Sequence, residues 1–110
     1  MSESAYGLSE DTRTQISCVL ARFPEVERAT LFGSRAKGSH RAGSDIDLAL
    51  VGTALDWRML GRIEDAFDVS SLPYRFSLLH HNAGTDPEVA AHIARVGREI
   101  YVAERTLEKA

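Results

Sequence analysis

Hydrophobic positions alternate between the helical and the strand period along this chain. Ile16, Val19, Leu20 and Phe23 recur at helical spacing and predict a helix from about Glu10 to Arg22. Ser9 suits its N-cap, because a hydroxyl can accept a hydrogen bond from an unpaired first-turn amide. Acidic Glu10 and Asp11 lie where the helix dipole favours negative charge. Pro24 ends the pattern by driving the residue before it out of the helical region. Arg28–Phe32 reads as a strand, broken by Gly33-Ser34, which opens a helical turn. A polar, basic stretch follows to Ser44, with Gly38 and Gly43 as turn residues. Asp45–Val51 alternates as a second strand, with Ile46, Leu48 and Leu50 on one face and Asp45, Asp47 and Ala49 on the other. Leu55, Met59, Ile63, Ala66 and Phe67 define a helix from Leu55 or Asp56 to about Asp68. Pro73 precedes a third strand, Tyr74–His80. Asn82-Ala83-Gly84 is a turn, and Asp86 with Pro87 marks another helix start. That helix carries the stripe Val89, Ile93, Val96 and ends at Gly97, where a left-handed cap is expected. Glu99–Val102 can form a short last strand. The order α-β-(short helix)-β-α-β-α-(β) predicts an α+β fold, a small mixed β-sheet with helices packed on one face.

Length and charge narrow the function. The 110 residues suit a single domain, 1–110, and there is no internal repeat or linker-like stretch. No apolar run approaches the ~20 residues that cross a bilayer, and the N-terminus carries no signal-type segment, so a cytoplasmic location is expected. One cysteine, Cys18, forms neither an intrachain disulfide nor a cysteine-rich metal site. Thirteen basic and sixteen acidic residues leave a net charge of −3, which argues against coating nucleic acid by bulk charge.

The chemistry-bearing residues concentrate between Leu31 and Val51. Asp45 and Asp47, two apart on a strand, project their carboxylates from the same face. Such a pair raises its own pKa values unless a cation intervenes. Mg²⁺ is commonly held by one or two carboxylates together with substrate phosphates. The same pair also fits the wet face of an edge strand, although Asp is disfavoured in strands. The preceding loop adds a second signal. Gly33 lets the backbone approach a phosphate closely, helix-start amides donate to anions, and the Ser34 hydroxyl adds a donor. Arg35, Lys37 and Arg41 place three positive charges, and no acid, between Ser34 and Ser44. Phosphate donors on one side and a carboxylate pair on the other describe a nucleotide-and-magnesium site.

Gly33-Ser34, ten residues, then Asp45-Ile46-Asp47 resembles the G-S-x10-D-x-D signature of the DNA polymerase β-type nucleotidyltransferase superfamily. The wider context, Phe32–Gly38 and Gly43–Ala49, together with Leu72-Pro73-Tyr74 and His92–Tyr101, resembles the small minimal nucleotidyltransferases. These include MntA antitoxins paired with HepT toxins of the HEPN class. The resemblance implies that Gly33 and Ser34, with Arg35 and Lys37, hold the triphosphate of ATP, and that Asp45 and Asp47 bind catalytic Mg²⁺, two ions in all. It implies in-line transfer of AMP to a hydroxyl with release of pyrophosphate. In the antitoxin branch that hydroxyl is a tyrosine of the HEPN partner toxin, so the implied partners are a nucleoside triphosphate and a HEPN/HepT-like protein, without membrane or direct nucleic-acid contact.

One position departs from the pattern. The superfamily uses a third carboxylate on a later strand, expected about four residues after Pro73. Ser77 stands there, and a neutral hydroxyl is no general base at pH 7. Two functions of different class follow: an adenylyltransferase acting on its partner, or a catalytically weak or inactive nucleotide-binding antitoxin that neutralises the partner by complex formation. A transferase acting on a small molecule would need an acceptor pocket for which no segment remains. The acceptor is therefore expected on another chain. His80, His81 and His92 could suggest metal binding, but adjacent His80 and His81 at a strand end point opposite ways, which disfavours a shared ion. His40 lies in the basic loop. Trp57 falls off its helix's apolar stripe and fits either partner contact or packing.

Overall fold

A computed structural model describes residues 8–38 and 44–103 of the chain. His40, Arg41, Gly43 and the two chain ends lie outside the described residues. The elements are α1 (Glu10–Ala21), β1 (Arg28–Phe32), α2 (Gly33–Lys37), β2 (Ile46–Val51), α3 (Trp57–Asp68), β3 (Phe76–His80), α4 (Pro87–Val96) and β4 (Arg98–Val102).

Side-chain caps set the three long helices. Ser9 Oγ accepts the Thr12 amide at 3.1 Å. Asp56 Oδ1 accepts the Met59 amide at 2.9 Å. Asp86 Oδ1 accepts the amides of Glu88 and Val89, with Pro87 in the first turn where its missing N–H costs nothing. Each such cap contributes about 1 kcal/mol. Asp56 is thus a cap rather than the first helical residue, and Leu55, buried just before it, still packs into the core.

The sheet order is β3-β2-β1-β4. β1 pairs antiparallel with β2 and with β4, whereas β2 and β3 are parallel, joined by the α3 crossover. This is the expected α+β fold with a small mixed sheet. The helices α1 and α3 pack on one of its faces. Leu31, Leu48 and Leu50 of the strands meet Ile16 and Leu20 of α1 and Ile63 of α3 in one buried cluster. Phe67 of α3 stacks on Phe76 of β3 with ring centroids 4.0 Å apart. Fully burying each large aliphatic or aromatic side chain contributes about 1.5–3 kcal/mol, so this face supplies most of the stability. By strand alternation the opposite face carries Thr30, Phe32, Asp47 and Ser77. The fourth helix, α4, contacts α2 and β1 beside that face.

Strand starts and one helix cap differ from the hydropathy reading. β2 begins at Ile46, whose amide donates to the Arg75 carbonyl at 2.9 Å, so Asp45 sits immediately before the strand and β3 starts only at Phe76. Gly97 is extended, with φ −60° and ψ 146°, not left-handed. Its glycine is required by close approach instead: a Cβ there would meet the Ile93 carbonyl oxygen, and would lie 2.7 Å from Thr30 Cγ2. The chain passes from α4 into β4 directly against β1, without room for a side chain.

Candidate active site

The site forms where β1 ends, α2 begins and β2 starts beside them. Gly33 makes the turn with φ +75°, a conformation that costs other L-residues roughly 1–2 kcal/mol. Space imposes the same choice. A Cβ on Gly33 would collide with Oδ2 of Asp47 and lie 3.1 Å from its carboxyl carbon. The backbone of the Gly-Ser turn therefore rests directly on the Asp47 carboxylate. Phe32, the last residue of β1, is paired with Asp47 across the sheet. The Gly-Ser turn and Asp47, well separated in sequence, thus meet in space.

Ser34 and Asp47 are partly exposed, and Asp45 and Lys37 are exposed. Burial pushes the Asp47 carboxyl above the usual carboxylate range, the Asp45 charge pushes it further up, and only a charged His92 ring would act in the opposite direction. A carboxylate raised by partial burial and by a second carboxylate is one that a cation would stabilise. Among the described residues no three His, Cys, Asp or Glu side chains gather as a metal cage. The donor set is two carboxylates beside a phosphate-type turn, which fits Mg²⁺ held jointly by protein and substrate phosphates.

Ser77 lies in register with Asp47 on the neighbouring parallel strand, and so on the same face. The hydroxyl stands beside the carboxylate where an acid would add a third charge.

Arg35 has a place its sequence context does not suggest. Its side chain is buried, at 3% exposure. The guanidinium donates from Nε (3.3 Å) and Nη2 (3.0 Å) to the Ser44 carbonyl and lies over the Tyr74 ring, 5.1 Å from the centroid. These contacts tie the start of α2 to the residue before Asp45 and to the approach to β3. They brace the two halves of the site and differ from the phosphate contact expected of Arg35.

His92 is the residue missed in the sequence. Its Nε2 accepts the Gly33 amide at 3.1 Å, and its ring meets Phe32 edge-on. It stands three residues after Val89 and four before Val96, on the inward flank of the α4 stripe, which is the one signal that could have placed it near the sheet. Trp57 is 76% exposed, with the Arg58 guanidinium over its ring at 5.3 Å. Cys18 is exposed on α1. Among the described residues no helix is long and apolar enough to cross a membrane.

Residues 14–106 match the family model described as "Polymerase beta, Nucleotidyltransferase". A relative from Haemophilus influenzae, the probable protein adenylyltransferase MntA, is 39% identical over 79 residues, 71% of this chain and 68% of that protein. Three solved structures share the fold. A toxin–antitoxin MntA–HpeT mutant aligns with a TM-score of 0.67 at 18% identity, over 84% of this chain and 75% of that one. A toxin–antitoxin with AMP-PNP aligns at 0.61 and 20%, with the same coverage. The tri-AMPylated Shewanella oneidensis HEPN toxin in complex with its MNT antitoxin aligns at 0.54 and 19%, over 87% and 74% of the two chains. At such identities the structures testify to the fold alone.

Proposed function

Because the chain belongs to the polymerase β-type nucleotidyltransferase family, as a minimal nucleotidyltransferase resembling MntA-type antitoxins, we propose that it transfers AMP from ATP to a tyrosine hydroxyl of a HEPN-type partner toxin and thereby silences it. The observation that carries this reading is the seating of the Gly33 turn on the Asp47 carboxylate, with Asp45 close enough to raise that carboxyl. A triphosphate approaching the turn meets the Ser34 hydroxyl and the first-turn amides of α2, which have no acceptor within the helix. Lys37, exposed at the end of α2, adds a positive charge beside the same approach. Asp45 and Asp47 would hold Mg²⁺, a pair of ions as in the wider superfamily. Bound there, the metal supplies charge neutralisation on the phosphates during in-line displacement. The acceptor oxygen bonds to the α-phosphorus as the bond to the pyrophosphate oxygen breaks, and the hydroxyl proton passes to solvent, because Ser77 offers no base.

Ser77 also supports a second reading, in which the chain binds nucleotide and neutralises its partner by complex formation with little or no transfer. Substituting Asp45 and Asp47 together by Asn separates the two. The transfer reading expects loss of toxin neutralisation while the complex still forms. Undiminished neutralisation by that variant would favour the binding reading.

A further inference from the structure

His92 reaches the Gly-Ser turn from α4, an element outside the G-S-x10-D-x-D motif. Its Nε2 accepts a hydrogen bond from the Gly33 amide, 59 positions away in sequence. An accepting Nε2 carries no proton, so the ring proton sits on Nδ1. The ring also stands edge-on to Phe32, with centroids 6.2 Å apart and planes at 78°. Both residues flanking the Phe32–Gly33 peptide are therefore held by one imidazole.

Glycine has the widest backbone freedom of any residue. A left-handed Gly33 specifies the next peptide plane, and with it the Ser34 amide and hydroxyl, only if its own plane is restrained. Asp47 restrains it at Cα and His92 at the amide. The bond also satisfies the first donor of α2. We infer that His92 is a positioning residue for nucleotide: by engaging the Gly33 amide it holds Ser34, with its amide and hydroxyl, in the orientation that receives the triphosphate. This inference rests on the nucleotidyl-transfer reading of the same site.

Two substitutions separate the acceptor from mere packing. His92→Phe keeps a ring against Phe32 and removes the acceptor, whereas His92→Gln restores an acceptor. In His92→Phe, exchange of the Gly33 amide with solvent should accelerate at least about tenfold, and affinity for a magnesium complex of a non-hydrolysable ATP analogue should fall about five- to tenfold, the equivalent of one neutral hydrogen bond. The loss in transfer should appear in KM for ATP more than in kcat, and His92→Gln should recover most of it. Unchanged Gly33 exchange in His92→Phe, or faster exchange with wild-type nucleotide affinity, overturns the inference. Should His92→Phe fail to fold, the wild-type protein still decides: a scalar coupling between the Gly33 amide nitrogen and His92 Nε2 is expected across the bond, and a proton found on Nε2 overturns it. A wild-type chain that binds no nucleotide would remove the functional reading and its claim on the triphosphate, while coupling and exchange would still report whether His92 holds the turn.

Discussion

Ser77→Asp adds a carboxylate directly beside Asp47. The two positions are partners on adjacent parallel strands, which run about 4.8 Å apart. Two unit charges about 5 Å apart repel by roughly 0.8 kcal/mol in water and about 3 kcal/mol at an effective dielectric of ~20. Position 77 is exposed, so solvent screening places the cost near the lower figure, about 1 kcal/mol. That lowers Tm by about 4–8 °C in a domain of this size, and it pushes the Asp47 carboxyl further up. Magnesium with nucleotide reverses the sign, because a third carboxylate then becomes a ligand rather than a repulsive neighbour. The variant should bind Mg²⁺ about tenfold more tightly, worth about 1.4 kcal/mol, and should transfer AMP faster than wild type. Thermal melts with and without Mg²⁺ and a non-hydrolysable ATP analogue, read beside initial transfer rates, measure all three. A melt unchanged without metal would refute the proximity of 77 and 47. A destabilisation that magnesium leaves untouched, with no gain in transfer, would refute the assignment of position 77 as the vacant acid.

Four further outcomes are expected. Gly33→Ala should cost more than about 2 kcal/mol by denaturant titration, combining the left-handed penalty of ~1–2 kcal/mol with displacement of Asp47, and should abolish magnesium–nucleotide binding. Gly38→Ala, at φ +84° but in open space, should cost only the backbone penalty of about 1 kcal/mol and leave binding intact. Asp47→Asn should raise the stability of the metal-free protein at pH 7. The folded-state pKa of Asp47 lies above its ordinary 3.8, so the native state binds the extra proton and stability falls as pH rises from 3.8 through the raised value. The gain over wild type should vanish in melts below pH 3.8, and the variant should lose Mg²⁺ binding. Arg35→Ala should destabilise by about 2–4 kcal/mol in chemical denaturation, removing charge-assisted bonds to Ser44 and the stack on Tyr74.

The legible parts of this protein are those decided locally. Ser9 and Asp86 carry their capping signal in their own side chains, the strands Arg28–Phe32 and Ile46–Val51 are read from the hydrophobic pattern, and the place of Ser77 follows from the family resemblance. Gly33, Ser34, Asp45 and Asp47 announce themselves because their residue types are poorly suited to a plain strand and turn. What the sequence conceals is decided by tertiary approach. Arg35 reads as a phosphate-binding cation until Tyr74 and Ser44 are seen to enclose it. Gly97 reads as a left-handed cap until β1 is seen to leave no space for a Cβ. His92 reads as one of several histidines, since nothing in its own helix indicates that its acceptor nitrogen finds an amide 59 positions earlier.

The central claim is that the Gly33–Ser34 turn and the Asp45–Asp47 pair transfer AMP to a partner protein. The most direct test is the intact mass of the cognate HEPN-type partner after incubation with this chain, ATP and Mg²⁺. The account predicts a slow gain of whole AMP units on partner tyrosine, abolished by joint substitution of Asp45 and Asp47 with Asn. A partner whose mass stays unchanged while the wild-type chain neutralises it fully would contradict the claim.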